Sequence, residues 1–250
     1  MSEFDEVVPT FILTESIHDL CSRQIARAIK KNQWLKEEDS VMDFGCGIGS
    51  FSYILLEEIG YKSCLGVDSS EKMVARYNKT AKENHWDDKM KAICKFIENP
   101  DELNGEKFDV IVSLKTFHHI PNPVETITLL KSYLKPQGRL IIADLKLDAH
   151  SPIYHRSVAE PPVCHGFTQE TMREYMEKAG FKVDVETVNV VHFLECLDHE
   201  AAKVEYDALP PFEGRVDRMD LDKLPPMIHL GPKYFEKDVF PFIVACGTLA

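Results

Sequence analysis

Val41-Met42-Asp43-Phe44-Gly45-Cys46-Gly47-Ile48-Gly49-Ser50 is the stretch that decides the fold. It reads as a short buried strand, an acid at its carboxyl end, a glycine-rich turn and the start of a helix. Glycine lets a backbone turn sharply and approach a ligand, because no Cβ intervenes. The helix that follows turns unpaired N–H groups toward the same place. The next apolar run, Cys64-Leu65-Gly66-Val67, is closed by a second acid, Asp68. A glycine turn after one strand and an acid after the next is how open α/β sheets hold a nucleoside-bearing ligand, the acid accepting hydrogen bonds from ribose hydroxyls.

Two readings of the turn compete. The dinucleotide fingerprint is G-x-G-x-x-G facing a pyrophosphate, and here Ser50 stands where its third glycine belongs. Asp43 lies two residues before the first glycine. A carboxylate facing the crevice there would repel a pyrophosphate and pair with an ammonium group, such as the one on the amino-acid end of S-adenosylmethionine (SAM). The combined pattern resembles motif I of the class I SAM-dependent methyltransferases. Asp68-Ser69-Ser70 with Met73 resembles the family's next motif. Phe108-Asp109-Val110-Ile111-Val112-Ser113, Thr116-Phe117-His118-His119-Ile120-Pro121-Asn122-Pro123, Leu134-Lys135-Pro136-Gln137-Gly138-Arg139-Leu140-Ile141-Ile142 and Lys178-Ala179-Gly180-Phe181 resemble its later strands and turns, in order over residues 38 to 190.

The resemblance implies an α/β Rossmann-like three-layer αβα sandwich. Its seven-stranded sheet is mostly parallel, with the last strand antiparallel between strands five and six. It implies that Asp43, Gly45, Cys46, Gly47, Gly49 and Lys115 surround the methionine part of SAM. Asp68 would hold the ribose, with Ser69 beside it in the cofactor site, and Met73 and Asn99 would enclose adenine. Asn99 replaces the acid that the family often places after strand three; its carbonyl can still accept a bond, with Glu98 and Asp101 as alternatives in another register.

The 250 residues fit one elaborated α/β domain, with two small domains as the alternative. Residues 1–35 form an N-terminal helical segment, 36–193 the SAM-binding core, 194–238 a cap-like insertion and 239–250 the final strand. Helices are expected near 15–31, 49–59, 70–84, 123–134 and 195–206, and strands near 62–68, 91–97, 108–113, 139–144 and 181–193. A 45-residue insertion is far longer than a hairpin needs. Its apolar and aromatic residues favour a cap over a substrate pocket, with a dimer contact or edge cover as alternatives.

The net charge is −12 and both halves are acidic, which disfavours nucleic acid and anionic membranes as partners. No apolar run reaches the ~18 residues of a membrane helix. The acidic amino-terminal stretch is unlike a secretory or transit segment, so a cytoplasmic location is expected. Seven scattered cysteines without a C-x-x-C pair are expected to be free, mostly buried thiols.

Methyl transfer from a sulfonium needs alignment first, and a base only if the acceptor must lose a proton. His118 and His119 are the candidate bases. Tyr154, His155 and His165 are candidates for the acceptor pocket. His192 reads as a core histidine, no histidine pair has compelling metal-ligand spacing, and the acceptor is expected to be a small molecule. A non-catalytic SAM-binding module and an NAD-dependent oxidoreductase are the alternatives.

Overall fold

The computed structural model describes residues 8–156, 162–210, 212 and 215–249. Met1–Glu6, Pro161 and Pro211 lie outside them. The elements are α1 (Val8–Leu13), α2 (Glu15–Lys31), β1 (Ser40–Phe44), α3 (Ser50–Glu58), β2 (Ser63–Asp68), α4 (Glu71–Glu83), β3 (Met90–Cys94), β4 (Phe108–Leu114), α5 (Pro123–Lys131), β5 (Leu134–Leu145), α6 (Gln169–Lys178), β6 (Lys182–Glu195), α7 (His199–Asp207), β7 (Met227–Leu230) and β8 (Lys233–Thr248).

The sheet runs β3-β2-β1-β4-β5-β8-β6. β1 to β5 run parallel to one another, and β8 is antiparallel to both β5 and β6. This is the mostly parallel sheet expected, with the last strand in the expected place. Successive strand residues feed opposite layers, as the two-residue period requires. Val41, Val110 and Val112 pack with Cys21, Phe51 and Tyr77 on one face. Met42, Ile111 and Leu140 pack with Ile127, Leu130 and Met176 on the other. Side-chain caps start α4 and α6: Ser70 accepts from the Met73 N–H and Thr168 from the Thr171 N–H.

Three expectations need correction. β5 begins at Leu134 and not at 139, because Phe108 pairs with Leu134 before a register shift brings Val110 opposite Arg139. The Pro136-Gln137-Gly138 turn is thus a bulge within the strand, with Gln137 at φ 62°. β6 and β8 are longer than their apolar runs suggested and pair from Lys182–Thr248 to Glu195–Phe235. That shortens the insertion at both ends. Within it, β7 adds an eighth strand, a hairpin on β8 turning at Gly231.

The insertion is fastened to the body. Val216, Leu224 and Ile228 pack with Ile17 and Leu20 of α2 and with Phe193 and Phe235. Arg215 pairs with Asp19, and Arg218 bridges Asp217 and Glu57. All seven cysteines are free, but Cys94 is exposed and Cys164 half-buried, unlike the other five.

Candidate functional site

The site lies beyond the carboxyl ends of β1, β2, β4 and β5. The chain leaves β1 in one direction and β4 in the other, the switch point at which open sheets leave a crevice.

The glycine turn is held by its neighbours. The Gly45 and Cys46 N–H groups donate to the Val67 carbonyl at 2.9 and 3.2 Å. Gly45, Gly47 and Gly49 all have positive φ, which only glycine adopts without strain. Their surroundings differ. A Cβ on Gly45 would meet Thr116 Oγ1 at 2.4 Å, and one on Gly49 the Tyr77 ring at 2.7 Å. A Cβ on Gly47 would meet nothing within 4 Å among the described residues. Gly45 and Gly49 are therefore needed for internal packing, while Gly47 faces open space that a ligand can approach.

Asp68 lies at the end of β2. Its Oδ2 accepts the Gly47 N–H at 2.8 Å and its Oδ1 the Ser70 N–H at 2.9 Å. The carboxylate thus joins the turn to the start of α4. Ser69 is not the helix cap; its carbonyl accepts a bond from Cys94 Sγ. Met73 is 2% exposed and packs with Ile48 and with Phe11 of α1. Asn99 is exposed, with its N–H and side-chain amide committed to Glu102 Oε1 and its carbonyl to the Tyr133 hydroxyl.

Asp43 is more enclosed than a crevice-facing carboxylate would be. It is 1% exposed and accepts the Ser52 hydroxyl at 2.6 Å, so it lies beneath the turn, against α3. Strand alternation explains this, since Asp43 shares the face of Val41. Burial pushes its carboxyl up to about 7, and the nearby Asp68 charge adds to the effect. Burial also pushes the Cys46 thiol far up. Its size fits the packing: a Cβ on Gly66 would meet the Cys46 sulfur at 2.8 Å, and a larger side chain would not fit beside β2.

A second group of residues gathers at the ends of β4 and β5. The turn holding Thr116 abuts the glycine turn, and Thr116 Oγ1 donates to the Gly45 carbonyl at 3.4 Å. Two residues on, His118 is 2% exposed. Its Nδ1 lies 2.7 Å from Asp144 Oδ1, and its N–H donates to Asp144 Oδ2 at 3.1 Å. Asp144 is fully buried at the end of β5 and also accepts the Leu145 N–H. With Nδ1–H donated to a carboxylate, an uncharged His118 presents its Nε2 lone pair. His155 Nε2 lies 3.3 Å from that atom and fits as its donor. His155 Nδ1 is then bare, and it is buried without a hydrogen-bond partner among the described residues. Burial, with His118, His119 and His165 adding, holds His155 down to about 3.

His119 stacks obliquely on His118, with centroids 4.1 Å apart, and burial lowers it to about 4. The loop after β5 closes the group. The Cys164 N–H donates to the His118 carbonyl, the His165 ring lies 6.0 Å from His155, and Tyr154 stacks on His192 at 4.9 Å. Gly166 permits this return: at φ 123° its Cβ would fall 2.4 Å from the Leu145 carbonyl oxygen. Tyr154, His155 and His165 thus lie side by side. Sequence reasoning missed Asp144, although it closes the apolar run Leu140–Ala143 just as Asp68 closes its own. It also missed His18, whose ring stacks on Phe11 and bonds Lys115.

Among the described residues, no group of three or more His, Cys, Asp or Glu side chains is placed to hold a metal ion. None of their helices is long and apolar enough to cross a membrane.

Comparison with known proteins gives a consistent answer. A family model described as a methyltransferase domain matches residues 13–186. An uncharacterised methyltransferase of Schizosaccharomyces pombe is 31% identical over 161 residues, covering 60% of this chain and 55% of its own length. A ubiquinone biosynthesis O-methyltransferase of Actinobacillus pleuropneumoniae is 31% identical over 107 residues, covering 42% of this chain and 45% of its own length. The match thus spans about half the length of these curated relatives. Among solved structures, a chain from the complex of the Haloferax volcanii Trm112 methyltransferase activator with a methyltransferase is 19% identical, with a TM-score of 0.62. That match covers 98% of this chain and 95% of the other. The glycine turn, the acid after β2, the strand order and the family match over most of its length make this chain a member of the class I methyltransferase family, for which SAM is the methyl donor.

Proposed function

We propose that this chain transfers the SAM methyl group to a small-molecule acceptor that must lose a proton, with a hydroxyl as the acceptor group. The hydrogen-bonded series Asp144–His118–His155, next to the glycine turn, carries this reading. When bound, SAM supplies a methyl group already activated by the sulfonium charge. The protein's remaining tasks are positioning, exclusion of water and removal of the acceptor's proton. The bare Nδ1 of His155 can take that proton while its Nε2–H passes to His118 Nε2. The imidazolium formed at His118 is then paired with Asp144. This is the orienting logic of an acid behind a histidine, which fixes both tautomer and charge. The likeness to an O-methyltransferase of ubiquinone biosynthesis supports a hydroxyl acceptor. The acidic surface weighs against an RNA acceptor.

On this reading Gly47 gives SAM its closest backbone approach, Asp68 accepts the ribose hydroxyls, and Ile48 and Met73 border adenine. The insertion and α1 cover the crevice. Thermal unfolding with SAM, S-adenosylhomocysteine or NAD tests the donor. A ligand at about 100 times its dissociation constant adds roughly 2.7 kcal/mol to folded stability. Stabilisation by the two SAM-type ligands alone is expected; stabilisation by NAD alone would replace the reading with an oxidoreductase. Release of S-adenosylhomocysteine with an acceptor then separates an enzyme from a binding module.

The three glycines give a sharper test. Gly47→Ala is expected to cost about 1 kcal/mol of stability, from its left-handed backbone, yet to remove SAM binding. Gly49→Ala should cost about 2 to 4 kcal/mol, because strain adds to a clash with Tyr77. Equal SAM affinity in Gly47→Ala and wild type would show that the open space at Gly47 is not where SAM lies.

Asp43 should make SAM binding depend on pH. Its folded value of about 7 lies above the ordinary 3.8. Its contribution to folding stability is therefore complete below pH 3.8 and is lost as pH rises through about 7. A ligand ammonium near Asp43 favours the carboxylate, so SAM binding at pH 6 should release a proton. Calorimetry in buffers of different ionisation enthalpy reads this directly. The release should vanish in Asp43→Asn; the same release in both proteins would assign it elsewhere.

A further inference from the structure

Lys115 is the residue that the proposed methyl transfer leaves unexplained. It directly follows β4, with φ at 55°, a region that costs a residue with a Cβ free energy. Such strain persists where surrounding structure enforces it, and it collects at ligand sites. The ammonium group lies 3.0 Å from His18 Nδ1. His18 Nε2 lies 3.0 Å from Thr14 Oγ1, which donates onward to the Thr10 carbonyl. The series fixes direction: Lys115 donates to His18, and His18 to Thr14. One of three ammonium hydrogens is thereby used. Among the described residues, no carboxylate lies within salt-bridge distance of Lys115.

Two histidines stand beside it. Burial, with the Lys115 charge adding, holds His18 and His192 well below the usual imidazole range. His192 is 6% exposed, and its Nδ1 is buried with no partner among the described residues. It stacks on Tyr154, which sits edge-on to Phe240 and to His155. An aromatic wall, an unpartnered ring nitrogen and a cation without a counterion therefore face the same corner as the His155 series. Neither Asp43 nor Asp68 pairs with Lys115, so the charge is not absorbed by the acids of the turn. A half-buried cation of this kind is costly until an anion joins it.

We infer that the acceptor is an organic anion, its anionic oxygen paired with Lys115 and its body lying against Tyr154 and His192. This rests on the methyltransferase reading and narrows its substrate class. It also moves Lys115 from the cofactor's methionine end to the acceptor.

The test uses the full chain saturated with S-adenosylhomocysteine. The probes are 3,4-dihydroxybenzoate, 4-hydroxycinnamate and 3-hydroxybutyrate, each beside its primary amide, with binding read by calorimetry. At least one acid should bind roughly tenfold or more tighter than its amide, the effect of one charge-assisted pair. That preference should vanish in Lys115→Met and in Lys115→Asn, the second chosen because asparagine tolerates a left-handed backbone. Affinity for S-adenosylhomocysteine should stay within about twofold of wild type, well under the tenfold that one charge-assisted pair supplies. A panel in which no acid outperforms its amide would overturn the inference. So would a loss of S-adenosylhomocysteine affinity in the variants with 5′-methylthioadenosine unaffected, because Lys115 would then hold the cofactor's carboxylate. Failure of wild type to bind S-adenosylhomocysteine would instead strike the donor reading itself.

Discussion

Asp68→Ala is expected to weaken SAM binding by about a hundredfold or more while the chain still folds. A carboxylate offers about four acceptor positions, and among the described residues the Gly47 and Ser70 N–H groups use two of them. Ribose hydroxyls at the others would form charge-assisted bonds, each contributing about 1.5 to 3 kcal/mol. Two such bonds amount to at least two orders of magnitude in affinity. The variant also leaves two backbone N–H groups without their acceptor, at about 1 to 3 kcal/mol, so its unfolding temperature should fall even without ligand. Asp68→Asn separates the effects. It keeps one acceptor oxygen but places an amide against a backbone N–H, and it should lose affinity as steeply. Calorimetric titration with S-adenosylhomocysteine measures both variants. An affinity within threefold of wild type in either would remove Asp68 from the site.

The second large effect concerns Asp144. Its two oxygens accept three N–H groups, two of them from His118. An asparagine can place its oxygen at only one of those positions, and its amide then confronts an N–H donor. Asp144→Asn should therefore misorient His118 as well as uncouple it, lowering kcat by about a hundredfold to ten-thousandfold, the range for loss of a positioned acid–base group or its orienting acid. His118→Ala should show a similar loss, with the double variant no slower than either single one, because the residues act as a unit. The deficit should shrink as pH rises toward the acceptor's own ionisation, since a preformed anion needs no base. Release of S-adenosylhomocysteine measured from pH 6 to 10 reads this. A deficit independent of pH would assign the dyad a purely structural role, and a variant within threefold of wild type at all pH values would favour an acceptor that attacks without losing a proton.

What was legible in the sequence is local. The glycine turn, the acid after β2 and the cap of α4 lie within a few residues of one another, and their chemistry follows from backbone rules. The sheet order followed from the sequence of motifs, because each motif marks a strand end. The enclosure of Asp43 was also legible, since β1 alternates and the buried Val41 shares its face. Asn99 was placed by counting through a loop, where no periodicity fixes register. The His118–His155 contact links residues 37 apart, through a loop whose path depends on Gly166 packing against Leu145. No spacing rule reaches across such a return. Asp144 was overlooked for a different reason: a buried acid is informative only when its partner is known, and its partner lies in the turn after β4.

The position of β8 has a consequence for how the chain is made. Among the described residues, β6 joins the rest of the sheet only through β8, which is synthesised after it. On the ribosome, β1 to β5 can pair as they emerge, leaving the β5 edge open. β6 must then wait, together with some 37 residues of insertion, for a partner that has not yet been translated. Two unpaired edges are exposed during that interval, and such edges invite pairing with other chains. Slowing translation between the β6 and β8 codons should therefore raise aggregation, whereas the same delay placed after β8 should have no such effect.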